Sequence, residues 1–129
     1  MIYLDSSAIV KLARQEPETD ALRAWIAANP HPVIASALAR TEASRALMRT
    51  EPAALTVLRA VLALLHQKPV TDAILDAAAE LPGRALRSLD AIHLATAEEL
   101  RPVLTWFVAY DKRLAEAARS RGLRVVSPA

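Results

Sequence analysis

The chain contains no cysteine, which excludes disulfides, thiolate zinc sites and cysteine nucleophiles. A reducing cytoplasm is the simplest setting for such a protein. Glycine is almost as scarce: Gly83 and Gly122 are the only two, and both stand where helices should end. Three histidines offer no evident acid and base pair for a mechanism built from side chains alone. No long hydrophobic run is present either. The most apolar helical stretch, Ala53 to Leu65, is too short for a bilayer and contains Arg59, so no membrane association is expected. The amino terminus opens on a strand with an acid at Asp5 and a base at Lys11, which is not the pattern of a signal peptide. Repeats, low-complexity tracts and linkers are likewise missing.

What is present suffices for one domain over residues 1–129, since 129 residues with 53% apolar content can bury a core without staples. Short apolar runs alternate with helical patterns. The spacing predicts strands at 2–5, 32–35, 68–70, 103–108 and 123–126, and helices at 7–15, 18–28, 37–50, 52–66, 72–81, 89–99 and 112–121. That order defines an α/β fold with a central, mostly parallel sheet flanked by helices on both faces. Ser36, Thr71 and Ser88 are placed to cap three of the helices, and Pro17 and Pro52 fall where a first turn tolerates proline. The helix from Pro52 carries Leu55, Leu58, Leu62 and Leu65 on one stripe, with Val57, Val61 and Leu64 beside it. So wide a face suits core packing first, and a second copy or partner helix otherwise.

Four acids stand out against this frame. Asp5 closes the first strand and Asp111 follows the run Val103 to Tyr110, so both fall beyond the carboxyl ends of strands, where parallel sheets bind ligands. Glu42 lies within one predicted helix and Asp90 at the start of another. Carboxylates gathered within about 4 Å repel by roughly 1 kcal/mol per pair in water and about 4 kcal/mol at an effective dielectric near 20. They need a cation or must take up protons, and an all-oxygen set suits Mg²⁺ or Mn²⁺. With these four set aside, sixteen Lys and Arg stand against ten acids, although the formal net charge is only +2. An acidic hole in a basic surface suits a polyanion held by cationic side chains. The stretches around Lys11, Arg14, Arg40, Arg45, Arg49, Arg87 and Arg113 are all candidates for contacting phosphate.

Each acid also has a plainer reading. Asp5 can cap the helix after it, although Ser6 and Ser7 can take that task and free it. Glu42 can be a surface residue paired with Arg45 or Arg49, but Leu38 and Ala46 one turn away place it towards the buried stripe. Asp90 can simply complement the dipole of its helix, and Asp111 can cap the helix beginning at Lys112. His93, one turn after Asp90, reads as a packed or hydrogen-bonded residue. It is the joint pattern that points to a site, because four independent plain explanations would otherwise have to coincide at positions the fold brings together.

The fragments Leu4-Asp5-Ser6-Ser7-Ala8, Thr41-Glu42-Ala43, Leu89-Asp90-Ala91-Ile92-His93-Leu94-Ala95-Thr96-Ala97 and Tyr110-Asp111-Lys112-Arg113-Leu114 together make the chain resemble the PIN-domain ribonucleases over essentially its whole length. The likeness is nearest to the VapC toxins of bacterial toxin–antitoxin pairs. The resemblance implies a PIN-like three-layer nuclease domain with Asp5, Glu42, Asp90 and Asp111 as metal-binding catalytic acids and Mg²⁺ or Mn²⁺ as cofactor. It also implies structured RNA, such as transfer or ribosomal RNA, as substrate, a homodimer, and a VapB-like antitoxin that covers the site. Many relatives carry serine or threonine two residues before the last aspartate, where this chain has Ala109.

Two other classes compete. A phosphotransfer enzyme or receiver domain also places an aspartate after the first strand, but a phosphatase would carry a second aspartate where Ser7 stands, and the adjacent acids and late-strand lysine of receivers are missing. A module of the same fold that binds RNA or protein without catalysis would not require all four acids.

Overall fold

The computed structural model describes residues 1–129 and contains one five-stranded sheet, every pair of which is parallel. Its strands are β1 (Ile2–Leu4), β2 (Val33–Ser36), β3 (His66–Lys68), β4 (Trp106–Val108) and β5 (Val125–Val126), ordered β3-β2-β1-β4-β5. The chain moves outward from β1 through β2 to β3, then returns to the other side of β1 for β4 and β5. The order therefore reverses between β1 and β4, the position at which open α/β sheets leave a crevice at their carboxyl edge.

Seven helices cover the sheet: α1 (Ser6–Ala13), α2 (Thr19–Ala28), α3 (Leu38–Thr50), α4 (Leu55–Ala63), α5 (Asp72–Glu80), α6 (Ser88–Glu99) and α7 (Lys112–Ser120). Strand alternation sorts them into two layers. Ile2, Leu4, Ala35 and Val108 bury against α1 to α4, whereas Tyr3, Ile34, Phe107 and Ala109 bury against α6 and α7. With both faces covered, the strands read as continuous apolar runs instead of alternating ones. Helix α5 packs on α6 through Ile74, Ala78, Ala91 and Ala95. No helix is long and apolar enough to cross a membrane.

Several boundaries differ from the sequence expectation. The expected strand at 68–70 lies at His66–Lys68, because Pro69 has no N–H to extend the ladder and the preceding helix already stops at Ala63. The expected strand at 103–108 begins only at Trp106: the Val103 and Leu104 amides bond to Leu100 and Arg101 in the turn that closes α6. The strand expected at 123–126 is likewise confined to Val125–Val126, since the Leu123 amide bonds back to Ala118 and closes α7. Pro52 opens a short 3₁₀ turn, Pro52–Ala54, before α4. The broad stripe of α4 divides: Leu58 and Leu62 enter the core, while Leu64 is 84% exposed.

Candidate active site

The local chemistry at the carboxyl edge starts with capping. Asp5 leaves β1 in extended backbone (φ −78°, ψ 175°), the conformation a helix cap requires, while Ser6 and Ser7 are already helical. Asp5 therefore caps α1 itself, accepting from the Ala8 N–H at 2.9 Å, and the expectation that the serines would release it is overturned. The serines serve carboxylates instead. The Ser7 hydroxyl donates to both Asp5 oxygens at 2.7 and 2.8 Å and accepts from the Tyr110 N–H at 3.1 Å, tying β1 to the segment after β4. The Ser6 hydroxyl donates to Glu42 Oε1 at 2.5 Å.

Asp111 repeats the arrangement after β4, capping α7 through a 2.9 Å bond from the Leu114 N–H to Oδ1. Glu42 projects from α3, and its partner is His93 at 2.5 Å, not Arg45 or Arg49. Asp90 sits in the first turn of α6, where free amides and the helix dipole favour negative charge. The expected Ser88 cap does not form, because Arg87 holds the extended cap position and Ser88 is the first helical residue. Thr71 does cap α5, accepting from the Ile74 N–H at 3.2 Å; Ser36 does not hold the cap of α3, which falls to Ala37, but its hydroxyl accepts from the Leu38 N–H at 3.1 Å.

Glu42, Asp90 and Asp111 line one open cavity of about 530 Å³ together with the cations Arg87, Lys112 and Arg113. Asp5 is not part of that lining; it is 3% exposed, one residue from Ser6. Burial, reinforced by the nearby Asp111 and opposed by the Ser7 and Ala8 bonds, raises its carboxyl to about 6. Asp90 is raised from the ordinary aspartate value, first by burial and then by the charges of Asp111 and Glu42. Glu42 goes the other way: burial pushes it up, but the bonds from His93 and Ser6 outweigh that and hold it below the usual glutamate value.

The side chains as they stand close no ready cage of three or more metal ligands. Asp5 is turned to Ser7 and Ala8, and Glu42 Oε1 to Ser6 and His93. Glu42 Oε2, Asp111 Oδ2 and both Asp90 oxygens have no protein hydrogen-bond partner, although these three residues line the same cavity. Unpaired carboxylate oxygens around one cavity are hard donors of the kind that suits Mg²⁺ or Mn²⁺. The residues fit such an ion.

His93, read from the sequence as a packed or hydrogen-bonded residue, is both: it is 1% exposed and joins Glu42 to the Tyr3 hydroxyl, the latter at 2.7 Å, although the sequence did not name these partners. Its place one turn after Asp90 was the one local signal, and it does not identify the partners. Ala109, where many relatives of the resembled family have a hydroxyl, is fully buried with Tyr3, Phe107 and Leu114 and does not line the cavity.

Strand order and acid placement define an α/β protein whose carboxylates gather at the switch point of a parallel sheet. Among known families, the PIN domain matches residues 2–120. The chain is 48% identical to ribonuclease VapC46 of Mycobacterium tuberculosis over 98% of its own length and 97% of the relative's. It is 47% identical to ribonuclease VapC35 of the same species over 99% and 97%. In fold it is similar to crystalline VapC20 of M. tuberculosis, a sarcin-ricin loop cleaving toxin, with a TM-score of 0.79 at 18% identity over 99% of this chain and 100% of that one. The toxin–antitoxin complex from Klebsiella pneumoniae is similar at a TM-score of 0.74 and 19% identity, over 100% and 98%. The chain belongs to the PIN-domain family and, within it, to the VapC-type ribonuclease toxins.

Proposed function

We propose that this chain, acting as one nuclease domain over residues 1–129, is a metal-dependent endoribonuclease toxin that hydrolyses phosphodiester bonds in structured RNA, transfer or ribosomal, in the cytoplasm. The observation that carries this reading is the cavity in which Glu42, Asp90 and Asp111 keep unpaired oxygens beside Arg87, Lys112 and Arg113. Names of the relatives support RNA as the substrate, and a structured target is supported by the loop-cleaving neighbour.

Asp90, Glu42 and Asp111, with Asp5 buried behind them and braced by Ser7 and Ala8, would hold Mg²⁺ or Mn²⁺, which would supply an acidified water for in-line attack and charge stabilisation at the leaving oxygen. The protein's own part is placement. Arg87, Lys112 and Arg113 draw the RNA backbone to the acidic opening and offset its charge. Caps at Asp5 and Asp111 fix two carboxylates to rigid helix starts, so their orientation does not depend on loop motion. Lys11 and Arg14, candidates for phosphate on sequence, are engaged instead with Glu16 and Glu18, which leaves Arg87 and Arg113 as the better placed pair.

A VapB-like antitoxin is the proposed inhibitor, supported by neighbours crystallised as toxin–antitoxin complexes. The exposed Leu64, with Val57, Val61, Ile26 and Leu12, borders an apolar groove of about 440 Å³ that gives a partner surface to cover. A homodimer completes the proposed assembly. The test is incubation of total cellular RNA with the purified chain in Mg²⁺ or Mn²⁺, with new ends mapped by sequencing. Discrete cuts that vanish with chelator and in Asp90→Asn are expected. Equal cutting in excess chelator contradicts the metal mechanism, and binding without cutting by parent and variant alike makes the chain a passive RNA-binding module.

A further inference from the structure

A polar chain crosses the interior between the two helical layers and ends on the acidic cavity. Tyr3, on β1, is fully buried, stacked on Phe107 of β4 with ring centres 5.2 Å apart and standing edge-on to His93 at 6.0 Å. Its hydroxyl lies 2.7 Å from His93 Nδ1. The other ring nitrogen, Nε2, lies 2.5 Å from Glu42 Oε1 and 3.2 Å from the Ser6 hydroxyl. Four elements, β1, α1, α3 and α6, thus meet through these side chains at the carboxyl end of β1.

The direction of the bonds follows from what each atom can do. An ionised glutamate oxygen only accepts, so Nε2 carries the hydrogen that meets Oε1. Nδ1 faces the Tyr3 phenol, a group able to donate to a bare ring nitrogen or to accept from a protonated one, so it is satisfied in either state. Tyr3 thereby fixes the ring orientation that serves Glu42. Oε1, holding bonds from Ser6 and His93, is filled, which leaves Oε2 as the oxygen Glu42 can offer to the cavity.

A direct catalytic role for His93 does not fit this geometry. The ring is 1% exposed and both nitrogens are engaged inside the protein, so neither can reach RNA. Core packing alone does not fit either, because an apolar side chain would fill the space without aiming a polar bond at the carboxylate.

We propose that His93, oriented by Tyr3, is a positioning residue that locks Glu42 with one oxygen presented to the cavity and so raises its affinity for the divalent ion. The inference rests on the reading of Glu42 as a metal-binding acid. Partners that orient a ligand typically contribute about 10- to 100-fold in metal affinity or activity.

The experiment is calorimetric titration of Mn²⁺ into the purified full chain without RNA, comparing Glu42→Gln, His93→Asn, His93→Gln and Tyr3→Phe, with melting curves in chelator to establish folding. Asparagine places its amide near Nδ1 and cannot reach Glu42, so His93→Asn should weaken Mn²⁺ binding by about 10- to 100-fold. Glutamine places its amide nitrogen near Nε2 and should restore binding to within a few-fold of the parent. Tyr3→Phe keeps the ring packing and should fall between them, so the test survives if His93→Asn fails to fold. Parental Mn²⁺ affinity in both His93→Asn and Tyr3→Phe, alongside a loss in Glu42→Gln, overturns the positioning role alone. Parental affinity in Glu42→Gln overturns the metal reading of Glu42 and this inference with it.

Discussion

Two clusters of charge lie near the carboxyl end of the sheet, and they are built on opposite rules. Around Lys11, which is 9% exposed, each charge has a partner of opposite sign: its ammonium lies 3.2 Å from Glu16 and 2.9 Å from Glu18 and also faces the Tyr110 ring. Burial alone would lower the Lys11 pKa, yet the bonds to Glu18 and Glu16 raise it, the mark of a cluster that neutralises itself. At the cavity, Asp90 is raised first by burial and then by Asp111 and Glu42, carboxylates of its own sign, against the weaker pull of His93 and Arg87, and no salt bridge reaches it. A cluster that neutralises itself holds a fold together. One in which carboxylates raise each other and keep oxygens unpaired costs stability and suits a cation that arrives from outside.

The largest effect should come from the unneutralised cluster. Removing one charge by Asp90→Asn should lower cleavage by about a thousandfold, since metal stabilisation is worth several kcal/mol and each 1.36 kcal/mol is tenfold. Lys11→Met should leave cleavage at the parent rate while lowering the melting temperature. A loss of cleavage in the folded Lys11 variant would erase the distinction between the two regions.

Next in size, Arg113→Ala should reduce kcat/KM by about tenfold through KM and flatten the dependence on salt, as expected when one phosphate contact is lost. The kinetic salt series checks it, and an unchanged slope would remove Arg113 from the RNA path.

A smaller effect concerns pH. The Asp5 carboxyl stands at about 6 in the fold against an ordinary value of 3.8, so the folded state binds the proton more tightly than the unfolded chain. The cost of the buried charge is therefore full above about pH 6 and relieved as pH falls towards 4. In metal-free protein Asp5 should contribute roughly 1 kcal/mol of added stability between pH 7.5 and 5, and Asp5→Asn, which keeps a good cap, should remove that share while the gain from the raised Asp90 remains. Urea melts in chelator at the two pH values measure it, and a parent that loses stability across this window contradicts the sign.

The sequence made the fold legible where chemistry is local. Continuous apolar runs such as Ile2–Leu4 announce strands buried on both faces, and Thr71 announces its cap. It was less direct where a choice depends on backbone angles, as with Ser88, which enters the helix one residue too late to cap it, and with Asp5, which caps despite two adjacent serines. Three of the four acids share one cavity because the segment after β4, the start of α6 and the first half of α3 converge there. The Tyr3, His93 and Glu42 chain was out of reach, since its members stand 90 and 51 residues apart and each has an ordinary core or surface reading by itself. Only packing of α3 and α6 over β1 makes them neighbours.

Melting of the purified chain in chelator and then in excess Mn²⁺, with Asp90→Asn and Lys11→Met beside the parent, tests the central contrast most directly. A ligand that binds only the folded state raises stability in proportion to the logarithm of its excess over Kd. A clear upward shift with Mn²⁺ is expected in the parent and in Lys11→Met, and a small or absent shift in Asp90→Asn, which should nonetheless melt higher than the parent in chelator. Equal Mn²⁺ shifts in parent and Asp90→Asn, or none in the parent, would contradict the claim that the cavity acids await a divalent cation.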